Sequence, residues 1–205
     1  PLTFLGAGVL EPRKAMERLI DAAAVLEGDG PFEIRILGEG RMLKAWQLTA
    51  RRKGADQHMQ WMGRIPHDEA QRQFQWADVF AFTSLRDTTG TVVTEALAAG
   101  TPVVCLDHQG CGDVVDQTCG LKVAVGSRPE MSQQFAAHLR QLARDADLHC
   151  QLSDGAVKRA SRYLWSEQGM QMTEIYRSVL RDAGKEFNSE PDELSESTRP
   201  QLSTA

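Results

Sequence analysis

The chain has 205 residues, of which 41% are hydrophobic and 25% charged, and its formal net charge is −5 at pH 7. That length holds one well-buried domain, or one domain and a tail, rather than two full domains. The acidic balance gives no electrostatic basis for nucleic-acid binding, which selects clustered Lys and Arg, and no apolar run approaches the ~20 residues of a membrane span.

The chain opens at Pro1 on an apolar strand, without a basic region and signal core, and reads as an excised piece of a cytoplasmic protein. Residues 2–10 form that strand, and residues 14–26 carry Met16, Leu19, Ile20, Ala23 and Leu26 at helical spacing. Gly6, Ala7 and Gly8 hint at a dinucleotide fingerprint, but Glu11 occupies its third glycine position, which disfavours a nicotinamide enzyme. A second strand at 32–37 leads through Gly38-Glu39-Gly40 into a helix over Met42, Leu43, Trp46, Leu48 and Ala50. A third strand at 58–62 stops at Gly63, and a helix begins at His67. The fourth strand, 78–82, feeds residues 83–105: a polar loop, a short helix of small residues stopped by Gly100 and Pro102, and a fifth strand at 102–106. A Gly-rich loop at 108–113, a short helix near Val114 and Val115, and a sixth strand at 120–125 follow. Residues 131–144, 148–163 and 165–181 read as amphipathic helices, and 183–205 as an acidic, Ser-rich, disordered tail.

Alternating strands and helices with short connections imply a Rossmann-like α/β domain: a parallel sheet of about six strands covered by helices on both faces. Ligands of such sheets bind beyond the carboxyl ends of the strands, where the loops at 8–14, 38–40, 63–65, 84–90 and 107–113 fall. Within residues 83–105 two acids stand out, Asp87 in the loop and Glu95 in the helix it opens. A helix start after a strand aims unpaired N–H groups and a positive dipole end at one spot, which suits a phosphate. Glu95, about one turn further in, suits a ribose diol. Cys105, Cys111, Cys119 and Cys150 lack metal-ligand or C-x-x-C spacing and read as reduced thiols, and the five scattered histidines form no metal site.

These residues resemble the C-terminal, nucleotide-sugar-binding domain of the GT-B retaining glycosyltransferases of family 4, the glycosyl transferases group 1. The likeness runs from Phe4 to about Leu180 and is carried by Ile36-Leu37-Gly38-Glu39-Gly40, Trp61-Met62-Gly63-Arg64-Ile65, Ala77-Asp78-Val79 leading to Ser84, and the E-x7-E-like stretch from Asp87 to Pro102. The resemblance implies Glu95 on the donor ribose, the N–H groups of Gly90, Thr91 and Val92 at the diphosphate, and Lys14 neutralising the leaving group. It also implies Arg64 and Ile65 beside the base, with Gly38 and Gly40 counted among the donor-binding residues. Lys14 and Asp87 are then the candidate catalytic pair. The donor would be a nucleoside-diphosphate sugar, with no metal or other cofactor. The acceptor, a sugar, lipid or small molecule, would be held by an N-terminal domain outside this chain, which also leaves room for peripheral membrane association. The final helix, 165–181, would cross to that domain, so Met170, Met172 and Tyr176 are expected to be partly exposed.

Three positions depart from the family pattern: Asp87 stands for a Glu, Val9 for an arginine and Ala15 for a glycine, with Arg13 a substitute cation nearby. Asp87 and Val9 keep open a rival reading, a binding or scaffolding domain that has lost catalysis; a GT-B nucleotide-sugar epimerase is a second alternative.

Overall fold

The computed structural model describes residues 2–88 and 90–184. The elements run β1 (Leu2–Ala7), α1 (Glu17–Val25), β2 (Phe32–Leu37), α2 (Leu43–Arg52), β3 (Met59–Gly63), α3 (His67–Trp76), β4 (Val79–Phe82), α4 (Thr91–Ala98) and β5 (Val103–Leu106). They continue with α5 (Gln109–Val114), β6 (Gly120–Val123), α6 (Arg128–Arg144), α7 (Ala146–Ser161) and α8 (Trp165–Asp182). Among the described residues the strands form one parallel sheet of six in the order β3-β2-β1-β4-β5-β6. β1 therefore pairs with β4, more than seventy residues away in sequence, through Phe4 with Val79 and Leu5 with Phe80.

The alternation of side chains along these strands builds two cores. Phe4, Ile34, Ile36 and Val104 point to the face covered by α1, α2 and α6, where Leu19, Trp46 and Phe135 pack. Leu5, Phe80, Phe82 and Cys105 point to the other face, under Phe74 of α3, Val93 and Leu97 of α4, and Ala156 of α7. The loop after β1 thus leads to a helix on one face and the loop after β4 to a helix on the opposite face. Their divergence opens a crevice at the carboxyl ends of β1 and β4.

Several boundaries differ from the sequence reading, each for a local reason. Lys14 does not open a helix: Pro12–Lys14 is a single 3-10 turn, and Ala15 at φ 47° breaks it from α1. The loop expected at 108–113 is itself α5, and the short helix near Val115 is its end, because Cys111 buries among Phe82-side residues and draws the Gly-rich turn into a helix. The strand at 120–125 ends at Val123, and β1 ends at Ala7. Helix α6 starts earlier than expected, since Ser127 caps it and forms a capping box with Glu130 in its first turn. The tail read as disordered lies, from Lys185 on, outside the described residues.

The compact unit ends at Leu164, and α8 forms a separate unit. Along α8, Met170, Met172 and Tyr176 are 59%, 49% and 57% exposed, in line with the partial exposure expected of them.

Helices α1 and α6 are tied by Asp21. Its carboxylate accepts from Arg128 Nε at 2.8 Å and Nη2 at 3.2 Å, and Lys53 Nζ lies 3.0 Å away. Burial pushes the Asp21 pKa up, but the hydrogen bonds and charges of Arg128 and Lys53 together outweigh it and leave the carboxyl below its ordinary value. A depressed folded pKa contributes stability above the unfolded value of about 3.9, and that stability is lost as pH falls through the folded value. Asp21→Asn is therefore expected to cost about 1–2 kcal/mol near neutral pH, the exposed cations being partly screened. In urea melts the gap to the parent chain should shrink below about pH 4; a gap that is independent of pH would refute the ionic account.

Candidate functional site

Backbone hydrogen bonds stitch the loops after β1, β2 and β3 together at the carboxyl edge. Gly8 N–H donates to Leu37 O at 3.0 Å, Leu10 N–H to Glu39 O at 2.8 Å, Met42 N–H to Leu10 O at 3.0 Å, and Gly38 N–H to Gly63 O at 2.7 Å. Gly38 and Gly40 are demanded by this approach. A Cβ on Gly38 would meet Gly8 O at 2.0 Å, and one on Gly40 would meet Leu10 O at 2.4 Å. The two glycines thus set the shape of the crevice wall through main-chain packing.

The loops after β1 and β4 are stitched in the same manner across the crevice. Thr83 Oγ1 donates to Lys14 O at 2.8 Å, and Leu85 N–H donates to Arg13 O at 2.8 Å. The Lys14 side chain crosses Gly8, where a Cβ would stand 3.1 Å from Lys14 Cε. Its ammonium, 4.8 Å from the centre of the Phe82 ring, is ion-paired with Asp87. Lys14 is 7% exposed, so this cation is held inside the crevice rather than free in solvent. Arg13 approaches the same Asp87 carboxylate at 3.6 Å and donates to Arg86 O at 3.2 Å, while Glu11 stands 3.8 Å from its Nε. Sequence spacing united Lys14 and Asp87 only through a resemblance; the sheet order brings them into contact. It also carries Arg13 to the carboxylate, which no local pattern in the sequence reveals, whereas Val9 is exposed.

Past Asp87 the chain reaches Gly90, buried, at φ 54°, which caps α4. The amides of Thr91 and Val92 fall in the first turn, where no helical carbonyl serves them. Val93 N–H donates to Gly90 O at 2.6 Å. Glu95, half-buried one turn on, lines a concavity of about 530 Å³ with His67, Gln71, Thr94 and Tyr163. Lys14 and Asp87 do not line it, so Asp87 and Glu95, the two acids of residues 83–105, do not share that concavity. Arg64 is exposed, and Ile65 packs partly onto the core beneath α3 and α4. Arg64 and Ile65 stand shortly before His67, which begins α3 and reaches the Glu95 concavity.

The loop after β5 completes the edge. Gln109 Oε1 accepts the Asp87 N–H at 2.9 Å. Behind it, Cys105 and Cys111 share a thiol hydrogen bond. That bond, and burial after it, push the Cys105 pKa far up, whereas it holds Cys111 below the ordinary thiol value. All four cysteines are free. Among the described residues no group of three or more His, Cys, Asp or Glu is placed to hold a metal ion, and no helix is long and apolar enough to cross a membrane.

A parallel sheet in this order, with its crevice at the β1–β4 reversal, is a Rossmann-like domain of the kind found in GT-B glycosyltransferases. The chain belongs to the glycosyl transferases group 1 family, whose model matches residues 1–159. It is 31% identical over 180 residues to the D-inositol 3-phosphate glycosyltransferase of Corynebacterium urealyticum, covering 84% of this chain and 42% of that protein. The chain thus spans less than half the length of this relative. Its fold matches the pneumococcal O-GlcNAc transferase GtfA, solved in complex with UDP and GlcNAc, with a TM-score of 0.75 at 19% identity over 89% of this chain and 36% of that one. It also matches the C-terminal domain of the group 1 protein LpcC of Francisella tularensis, with a TM-score of 0.68 at 21% identity over 78% of this chain and 84% of that one.

Proposed function

We propose that this chain is the nucleotide-sugar-binding half of a retaining glycosyltransferase. The observation that carries the reading is the buried Lys14, held by Asp87 where the sheet order reverses, on the loop opposite the one that opens α4. Family membership supports it, as do a relative named as a glycosyltransferase and a structural neighbour solved with UDP and GlcNAc.

In this reading a nucleoside-diphosphate sugar lies across the carboxyl edge. Glu95 accepts hydrogen bonds from the ribose hydroxyls, and the first-turn amides of α4 meet the diphosphate together with the helix dipole. As the sugar–phosphate bond breaks, negative charge grows on the leaving diphosphate. Lys14, with Arg13 beside it, is the preorganised positive charge that this change rewards. Asp87 orients the Lys14 ammonium, and Arg13 supplies the second cation that Val9 does not. The acceptor hydroxyl is presented by a further domain, to which α8 offers its exposed apolar face, so this chain alone binds donor and transfers no sugar.

Calorimetric titration of UDP, GDP and ADP into this chain and into Glu95→Ala tests the donor site. At least one nucleotide is expected to bind, and the variant should bind it about tenfold or more weakly, as befits loss of a charge-assisted hydrogen bond. Silence with all three, or equal binding by the variant, would sink the assignment. Sugar transfer by the intact protein then separates this reading from a scaffolding domain or an epimerase.

A further inference from the structure

Gln109, the first residue of α5, stands at φ 52°. A residue with a Cβ adopts this left-handed conformation only against a steric penalty, so glycine is its natural occupant. Hydrogen bonds hold the turn on either side of it. Asp107 N–H donates to Val123 O at 2.8 Å, His108 N–H to Leu106 O at 2.8 Å, and the Cys111 thiol to His108 O at 3.1 Å. The turn is also closely packed, since a Cβ on Gly112 would lie 3.1 Å from Asp107 Oδ1 and 3.2 Å from Asp107 C.

The side chain that accepts this strain does something a glycine cannot. Its Oε1 takes the Asp87 N–H at 2.9 Å, across twenty-two residues of sequence, from the β5–α5 turn to the β4–α4 loop. On its other side that loop is fixed through Thr83 and Leu85 to the Lys14 segment. Between these anchors Asp87 has its carboxylate committed to Lys14 and Arg13, and its main chain is held by Gln109. Backbone strain that the surroundings over-determine, sited beside a charged pair, is a recognised mark of a working residue.

We propose that Gln109 is a positioning residue: its side-chain amide fixes the Asp87 main chain so that the carboxylate meets Lys14, and the strain at φ 52° is the cost of placing a side chain there. The inference rests on the donor-site reading for its functional consequence, but the tether itself is independent of any ligand.

Two variants of this chain separate tether from strain, because Gln109→Ala removes the tether and keeps the strain whereas Gln109→Gly removes both. Hydrogen–deuterium exchange over residues 84–88 should quicken about tenfold in both variants, the scale of one lost hydrogen bond. The Gly variant should melt a few degrees above the Ala variant. Affinity for whichever of UDP, GDP and ADP binds the parent chain should fall about 3–10-fold in both. Gln109→Gly with parental exchange and parental nucleotide affinity would overturn the proposal and leave the strain without a purpose. If no nucleotide binds the parent chain, the donor reading fails instead, and exchange over 84–88 alone then decides whether Gln109 holds the loop.

Discussion

If the proposed donor-site reading holds, Lys14→Ala in the intact protein is expected to lower sugar transfer about 10²–10³-fold, the usual effect of deleting one preorganised stabiliser of developing charge. The size follows from where the ammonium sits. It is 7% exposed, beside the Phe82 ring and paired with Asp87, so no solvent cation replaces it when the side chain is cut back. Arg13 stays at the Asp87 carboxylate and spares that acid from being stranded, so the fold should survive the change. In that reading the loss should fall on turnover more than on donor affinity, because the charge on a departing diphosphate is greatest as the bond breaks. Initial-rate measurements on intact Lys14→Ala and Lys14→Arg protein would test this, with Lys14→Arg recovering part of the rate. An alanine variant within twofold of the parent would remove Lys14 from the mechanism.

The second large effect is on stability. Gly38→Ala should cost more than about 3 kcal/mol or prevent folding, for two reasons that add. Its Cβ would stand 2.0 Å from Gly8 O, and the residue is held at φ 116°. Gly30→Ala separates the two. Gly30 has φ 122° but nothing within 4 Å of the added Cβ, so only the backbone penalty of about 1–3 kcal/mol applies there. Urea midpoints of the two variants side by side would measure the clash by difference. Equal losses would mean that the loop edge is looser than its hydrogen bonds indicate. Because the Gly8 loop also carries Lys14, any Gly38→Ala protein that folds should bind donor nucleotide more weakly.

The sheet and its helices were legible in the sequence because strand and helix periods alternate with Gly or Pro breaks, as at Gly28 to Pro31 and Gly100 to Pro102. Local pattern failed where long-range contact decides the outcome. The left-handed Ala15 that separates Lys14 from α1 is set by the loop's attachment to Thr83 and Leu85. Helix α5 hides in a stretch containing Gly110 and Gly112, since what holds it is the burial of Cys111 and not helix propensity. At the candidate site, Glu95 and the α4 turn are proposed from spacing and resemblance. The pairing of Arg13 with Asp87 and the reach of Gln109 to Asp87 depend on strand order, which no short window of sequence encodes.

The main-chain stitching of the loops after β1, β2 and β3 has an implication for how such an edge changes over time. A bond from Leu10 N–H to Glu39 O, or from Met42 N–H to Leu10 O, is indifferent to the side chains of the residues that make it. Glu39, which is exposed, can therefore be exchanged with little displacement of the rim, whereas Leu10 is fully buried in the core and Gly38 and Gly40 leave no room for a Cβ. The rim is in effect a mould with replaceable inlays on its solvent side: the chemistry presented there can drift while the pitch between its loops stays put.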